Sequence, residues 1–229
     1  MAVPHVSTDK TGEKEMDMIS ELGKTGIIPV IVIDDLEKAV PLARALVSGG
    51  LNVLEVTFRT ECAAEAIKRI KGEVAGATVI AGTVLSIEQL LAAQSAGAEA
   101  CVAPGFDPEI VAKANEIGMP FCPGIATASE LSQALRLGCK MVKFFPAESA
   151  GGVKYIKDLL GAFRWTGVRF MPTGGVKLSN VADYLSVSEI ICCGGTWVAP
   201  KDAIKNNDWA RITTLAKDAA ESARQIRNR

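Results

Sequence analysis

TVIAGTVLSIEQLLAAQSAGAEACVAPGFDPEIVAKANEIG, residues 78–118, is the stretch that decides the fold. It holds one pattern twice. A short apolar or β-branched run starts near Thr78 and again near Ala100, and each is followed by a segment of helical periodicity, 87–96 and 108–117. Ser86 and Asp107 stand where a helix start needs an acceptor side chain, and Gly97 and Gly118 close the two helices. Two strands joined through a helix lie parallel, because the crossover carries the chain back to the end of the sheet at which the first strand began.

The pattern continues in both directions. Further strands start near Ile28, Asn52, Pro120, Met141, Val168 and Glu189, and helical segments fill 36–47, 63–70, 128–137, 153–160 and 178–185. Asp34, Thr127 and Ser179 are helix-start residues; Gly49, Gly50, Gly72, Gly138 and Gly161 are helix ends. A longer amphipathic helix is predicted over 209–226, and an extra N-terminal helix over 15–22. Eight strand-then-helix units predict a single-domain (β/α)8 barrel of the TIM type, with an open doubly wound sheet as the alternative. No linker-like or low-complexity stretch divides the chain, so the expected organisation is a polar tail over 1–13 and one barrel domain over 14–229.

Composition narrows the function. The chain has 229 residues, 48% hydrophobic and 22% charged, which is a globular composition with enough length to bury a core. Its 25 basic and 26 acidic residues leave a net charge of −1, which gives no electrostatic ground for nucleic acid or an anionic membrane as partner. The cysteines at 62, 101, 122, 139, 192 and 193 form no C-x-x-C pair and are expected as reduced core residues. With His5 the only histidine, a serine-histidine triad, a histidine zinc site and a cysteine-histidine dyad are all excluded as expectations. The longest early apolar run, 27–33, is too short to span a bilayer, and a cytoplasmic enzyme without metal or cofactor is expected.

In a barrel the active site gathers at the C-terminal ends of the strands. There the sequence places Glu55, Thr57 and Arg59, then Thr83, Pro104-Gly105, Pro123-Gly124, Lys143 with Phe145, Pro172-Thr173-Gly174-Gly175 and Gly194-Gly195-Thr196. Period two puts Glu55, Thr57 and Arg59 on one face of the second strand, and Lys143 with Phe145 on one face of the sixth, so that carboxylate, guanidinium and amine are expected to converge on one cavity. Lys143 sits in the apolar run 141–146, and a desolvated amine is a nucleophile toward carbonyls. It could form a protonated Schiff base with a ketone; Glu55 could carry the proton, and Arg59 offers a fork for the carboxylate of a 2-keto acid. Thr173-Gly174-Gly175 ahead of a helix and Gly195-Thr196 after the last strand read as a phosphate site. Each has a structural alternative: Lys143 snorkelling or paired, Glu55 paired with Arg59, the glycines as turns.

Together, residues 53–60, 81–85, 143–148 and 172–175 resemble the motifs of the bacterial 2-keto-3-deoxy-6-phosphogluconate and 4-hydroxy-2-oxoglutarate aldolase family, with similarity from about 27 to about 215. The resemblance implies a homotrimeric, metal-free class I aldolase that cleaves the phosphorylated keto acid to pyruvate and glyceraldehyde 3-phosphate. It also implies activity on 4-hydroxy-2-oxoglutarate. In it Lys143 would form the Schiff base, Glu55 would shuttle protons, and Arg59 and Thr83 would hold the pyruvate carboxylate beside Pro104 and Phe145. Thr173, Gly174, Gly175, Gly195 and Thr196 would take the phosphate. Thr196 stands where many relatives carry serine, and Ala103 where some do. The rival expectations are an aldolase for the galactonate epimer or a non-phosphorylated hydroxy-keto acid, and a barrel that binds sugar phosphates without catalysis.

Overall fold

The computed structural model describes residues 10–228. Among them, parallel strands alternate with helices, the α/β class that the repeat predicts. In chain order the elements are α1 (Lys10–Thr25), β1 (Ile27–Ile31), α2 (Ala39–Ser48), β2 (Val53–Thr57), α3 (Ala63–Glu73) and β3 (Thr78–Gly82). They continue as α4 (Ile87–Ser95), β4 (Ala100–Val102), α5 (Pro108–Ile117), β5 (Phe121–Cys122), β6 (Gly124–Ile125), α6 (Ala128–Arg136) and β7 (Met141–Phe144). The last are α7 (Gly152–Phe163), β8 (Arg169–Pro172), α8 (Val181–Leu185), β9 (Cys193–Gly195), α9 (Lys201–Lys205) and α10 (Trp209–Arg227).

Caps explain why the helices of the deciding stretch begin where they do. The Ser86 hydroxyl accepts from the Gln89 amide, and the Asp107 carboxylate from the amides of Glu109 and Ile110. Thr127 and Glu130 form a reciprocal capping box at the start of α6.

Elsewhere the structure differs from the sequence expectation. The predicted fifth strand is two short ones, because Pro123 has no N–H and interrupts the ladder: β5 pairs with β4, and β6 with β7. Residues 36–38 form a 3₁₀ turn capped by Asp35 rather than Asp34, so α2 starts only at Ala39. α8 begins at Val181, not 178, with Asn180 rather than Ser179 at its cap position, and β9 begins at Cys193 rather than near Glu189. Glu189 instead pairs with Arg164 at 2.7 Å. α1 is longer than the 15–22 helix, so it starts inside the predicted tail; residues 1–9, with His5, lie outside the described residues.

The strands lie in the order β5-β4-β3-β2-β1-β9 and β6-β7-β8. Parallel bridges at Phe170–Ile190 and Thr173–Gly194 link β8 to the segment carrying β9. Alternation sorts side chains between two apolar clusters. Leu54, Val56, Val79, Ala81, Val142, Phe144 and Phe170 pack with the helices. The opposite face carries Ile28, Val53, Ile80, Met141, Met171 and Cys192, and Ile19 and Leu22 of α1 cover it. That second face is apolar at the strand starts, and its next positions along β2 and β7 are Glu55 and Lys143.

Candidate active site

Glu55 follows Val53 on the same face of β2, in register with Val30 and Ile80; Lys143 follows Met141 on β7, in register with Gly124 and Met171. The two side chains meet across the interior: Lys143 Nζ donates to Glu55 Oε1 at 3.1 Å, with side-chain exposures of 5% and 0%. Glu55 Oε2 is buried and has no partner among the described residues. A buried polar atom without a partner is costly unless something fills the place, and a substrate proton is such a partner. A Cβ on Gly82 would collide with the Glu55 carboxyl group, so the bare Cα of Gly82 makes the room in which Glu55 sits.

The surroundings leave the amine as the nucleophile. Burial pushes the thiols of Cys122 and Cys192 well above their ordinary value, so they stay protonated. All six cysteines are free, and every one but Cys62 is buried. The Lys143 ammonium lies 5.7 Å from the centre of the Phe145 ring, within cation–π range.

Above this pair the other expected residues gather at the strand ends. Arg59 lies in the turn after β2, past the reach of strand alternation, and meets Thr83 by that turn: its Nε donates to Thr83 Oγ1 at 3.4 Å. Arg59 is exposed, so its guanidinium is open to solvent and anions. It makes no ion pair with Glu55, whose partner is Lys143. Thr83 has φ 57°, a left-handed conformation that a β-branched residue adopts only at a cost of about 1–3 kcal/mol. Thr57 donates to the Ile31 carbonyl at 3.0 Å and is occupied in holding β2 to β1. The Pro104 backbone lies against Gly124, where a Cβ would strike it.

Thr173 follows β8 and is buried, and its Oγ1 is the other buried side-chain atom without a partner. Gly194 must lack a side chain for that hydroxyl to fit. Gly174 and Gly175 have φ of 98° and 81°, which an L side chain would strain. Among the described residues, the amides of Gly175 and Thr196 donate to no protein acceptor. The expected helix N-terminus at this loop is displaced: α8 starts six residues past Gly175 and is a single short turn and a half, so any anion here must be held by loop amides. Gly195 is buried with the Trp197 ring over its Cα; Thr196 is exposed. Gly82 and Glu148 stand within the resembling stretches 81–85 and 143–148 without an expected role, and Trp197 and Tyr184 outside them, since a single chain does not show which residues a fold brings together.

A parallel α/β sheet with a desolvated amine beside a carboxylate that has one oxygen to spare defines a class: proteins equipped for carbonyl chemistry through an interior lysine. Sequence comparison makes the assignment specific. Residues 18–215 match the family model for KDPG and KHG aldolase, and the chain belongs to that family. The KHG/KDPG aldolase of Escherichia coli (strain K12) is 48% identical over 198 residues, covering 86% of this chain and 92% of its own. The crystal structure of the 2-keto-3-deoxy-6-phosphogluconate aldolase of Zymomonas mobilis ZM4 with 3-phosphoglycerate is 45% identical, with a TM-score of 0.84 over 90% of this chain and 96% of that one. A Legionella pneumophila KDPG aldolase, with pyruvate captured at low pH as a covalent carbinolamine intermediate, is 39% identical with a TM-score of 0.84, covering 87% and 96%.

Proposed function

We propose that this chain is a class I aldolase that cleaves 2-keto-3-deoxy-6-phosphogluconate to pyruvate and glyceraldehyde 3-phosphate. The observation that carries it is the Lys143–Glu55 pair, with Glu55 Oε2 unpartnered, in a chain of the KDPG and KHG aldolase family. 4-Hydroxy-2-oxoglutarate, which the E. coli relative's name includes, is the second substrate.

Lys143 Nζ, after losing its proton, adds to the C2 ketone to give a carbinolamine, and loss of water gives the protonated imine. Glu55 takes the proton of the C4 hydroxyl, the C3–C4 bond breaks, and its electrons move into the imine as an enamine. The aldehyde leaves. Glu55 then returns a proton to C3, and water releases pyruvate from Lys143. Arg59 and Thr83 hold the C1 carboxylate, the fork of Arg59 suiting its two oxygens, while Pro104 and Phe145 wall the pyruvate end. Thr173, Gly174, Gly175, Gly195 and Thr196 take the phosphate end through hydroxyls and loop amides. The added methyl of Thr196 at this exposed position crowds the phosphate end and tunes aldehyde preference.

The finer architecture belongs to the same proposal: the two ladders form one closed eight-stranded barrel from β1 to β9, preceded by α1 in a single domain, with β5 and β6 acting as one broken strand. Their supports are the bridges from β8 to β9, the pairing of β9 with β1, and the continuity of β5 and β6 through Pro123. The working assembly is a homotrimer in the cytoplasm, and no helix among the described residues is long and apolar enough to cross a membrane.

The test is chemical trapping. Incubation with pyruvate and borohydride should attach the reduced pyruvyl group to Lys143, mapped by peptide mass spectrometry. An adduct at Lys140 or Lys154 instead, or none, rejects the assignment.

A further inference from the structure

The loop that follows Lys143 and the glycine loop after β8 are laced together. Thr173 N donates to Phe144 O at 3.0 Å, Ala147 N to Thr173 O at 2.8 Å and Glu148 N to Gly174 O at 3.0 Å. The Glu148 side chain lies directly over Gly175: a Cβ there would stand 2.5 Å from Glu148 Cγ and 2.6 Å from its Cβ. Its carboxylate is turned away from that loop, toward Gly152 at the start of α7, where a Cβ would be 3.5 Å from Glu148 Oε1. A negative group is favoured at a helix N-terminus, and Gly151, the cap residue, supplies no side chain to compete. The phenol of Tyr184, a residue only 1% exposed on α8, donates a hydrogen bond to Glu148 Oε1.

A carboxylate one residue-width from free loop amides is a competitor for any anion those amides would bind. We propose that Tyr184 is a positioning residue for phosphorylated substrates: by pinning Glu148 toward α7, it keeps that carboxylate off the Gly174–Gly175 loop. The inference rests on the reading of that loop as the phosphate site. Tyr184 touches no substrate; it acts through Glu148 alone. Burial, and then the Glu148 carboxylate, push the phenol above its ordinary value, so the pin holds throughout the pH range in which an aldolase would work.

The test compares wild type, Tyr184→Phe, Glu148→Gln, the double variant and Gly175→Ala. Each is assayed for kcat and KM with the phosphorylated keto acid and with 4-hydroxy-2-oxoglutarate, and for inhibition by inorganic phosphate. Tyr184→Phe should raise KM for the phosphorylated substrate and Ki for phosphate by about fivefold, a change ordinary for one charge near an anion site, and leave the unphosphorylated substrate unaffected. Adding Glu148→Gln should restore both, because a neutral amide no longer competes as an anion. Equal losses on the two substrates, or no rescue by Glu148→Gln, overturn the proposal. Should Tyr184→Phe fail to fold, Glu148→Gln alone decides: phosphate Ki should stay level or fall, and a rise overturns it. An unchanged phosphate Ki in Gly175→Ala rejects the loop assignment and the proposal with it; a raised Ki there with no effect in Tyr184→Phe rejects the role of Tyr184 alone.

Discussion

An amine attacks a carbonyl only in its neutral form, and among the described residues the carboxylate of Glu55 is the group placed to receive the Lys143 proton. Glu55 Oε1 accepts from Nζ at 3.1 Å while Oε2 stays unpartnered, so a single carboxyl group can hold the amine and still face a substrate. Removing the charge separates the two duties. Glu55→Gln keeps the shape and an oxygen for Lys143, so trapping with pyruvate and borohydride should still label Lys143. Turnover should fall by about 10²–10⁴, the usual worth of a positioned general base. Steady-state rates set beside adduct mass check this, and unchanged turnover removes Glu55 from proton transfer. Residue types at the strand ends were legible from the sequence, because a lysine in an apolar run and a glutamate between Leu54 and Val56 are chemically conspicuous. Gly82 was not: its role is the volume it leaves for a side chain on the neighbouring strand.

Helix starts are local, and so the sequence shows them. At α6 the Glu130 carboxylate accepts from the Ala126 amide at 2.9 Å and from the Thr127 amide and hydroxyl at 2.8 Å. Burial pushes that carboxyl up, but these hydrogen bonds outweigh it and hold it below its ordinary value of 4.5. A depressed carboxylate contributes stability that is present above that ordinary value and lost as pH falls through the folded value. Thr127→Ala should therefore cost about 1 kcal/mol at neutral pH by denaturant unfolding. The stability gap between wild type and Glu130→Gln should narrow as pH drops below about 4.5. The elements that differ from expectation are those where one proline or a short polar turn overrides the apolar pattern. Pro123 breaks a strand whose halves pair with different neighbours, and α8 is shortened because residues 177–180 spend their polar groups on a turn, Lys177 N donating to Asn180 Oδ1 at 2.8 Å. The glycine loop was thus expected at a helix start and is instead separated from it.

At the scale of the molecule, the two strand ends do different work. α1 lies across the N-terminal ends, where Ile19 and Leu22 bury against Ile28, Ile80 and Met141, and Glu15 accepts from the Lys140 amide at 2.9 Å. The proposed chemistry sits at the other end. Leu22, 1% exposed, should cost about 2–5 kcal/mol when cut to alanine, read as a lower urea midpoint with an unchanged slope. Lys143 trapping in the folded variant should be unaffected; loss of trapping would mean that α1 shapes the site as well as the core. By itself the sequence determined the α/β class, most element positions and the residue types of the site, because periodicity, caps and a lysine among apolar neighbours are local signals. Only the tertiary structure decided that Lys143 is paired with Glu55 rather than Glu55 with Arg59, that Thr57 serves the sheet, and that Glu148 and Tyr184 flank the glycine loop. Those are contacts between residues up to 88 positions apart, and which side chains meet across an interior depends on strand register, not on any stretch of chain read alone.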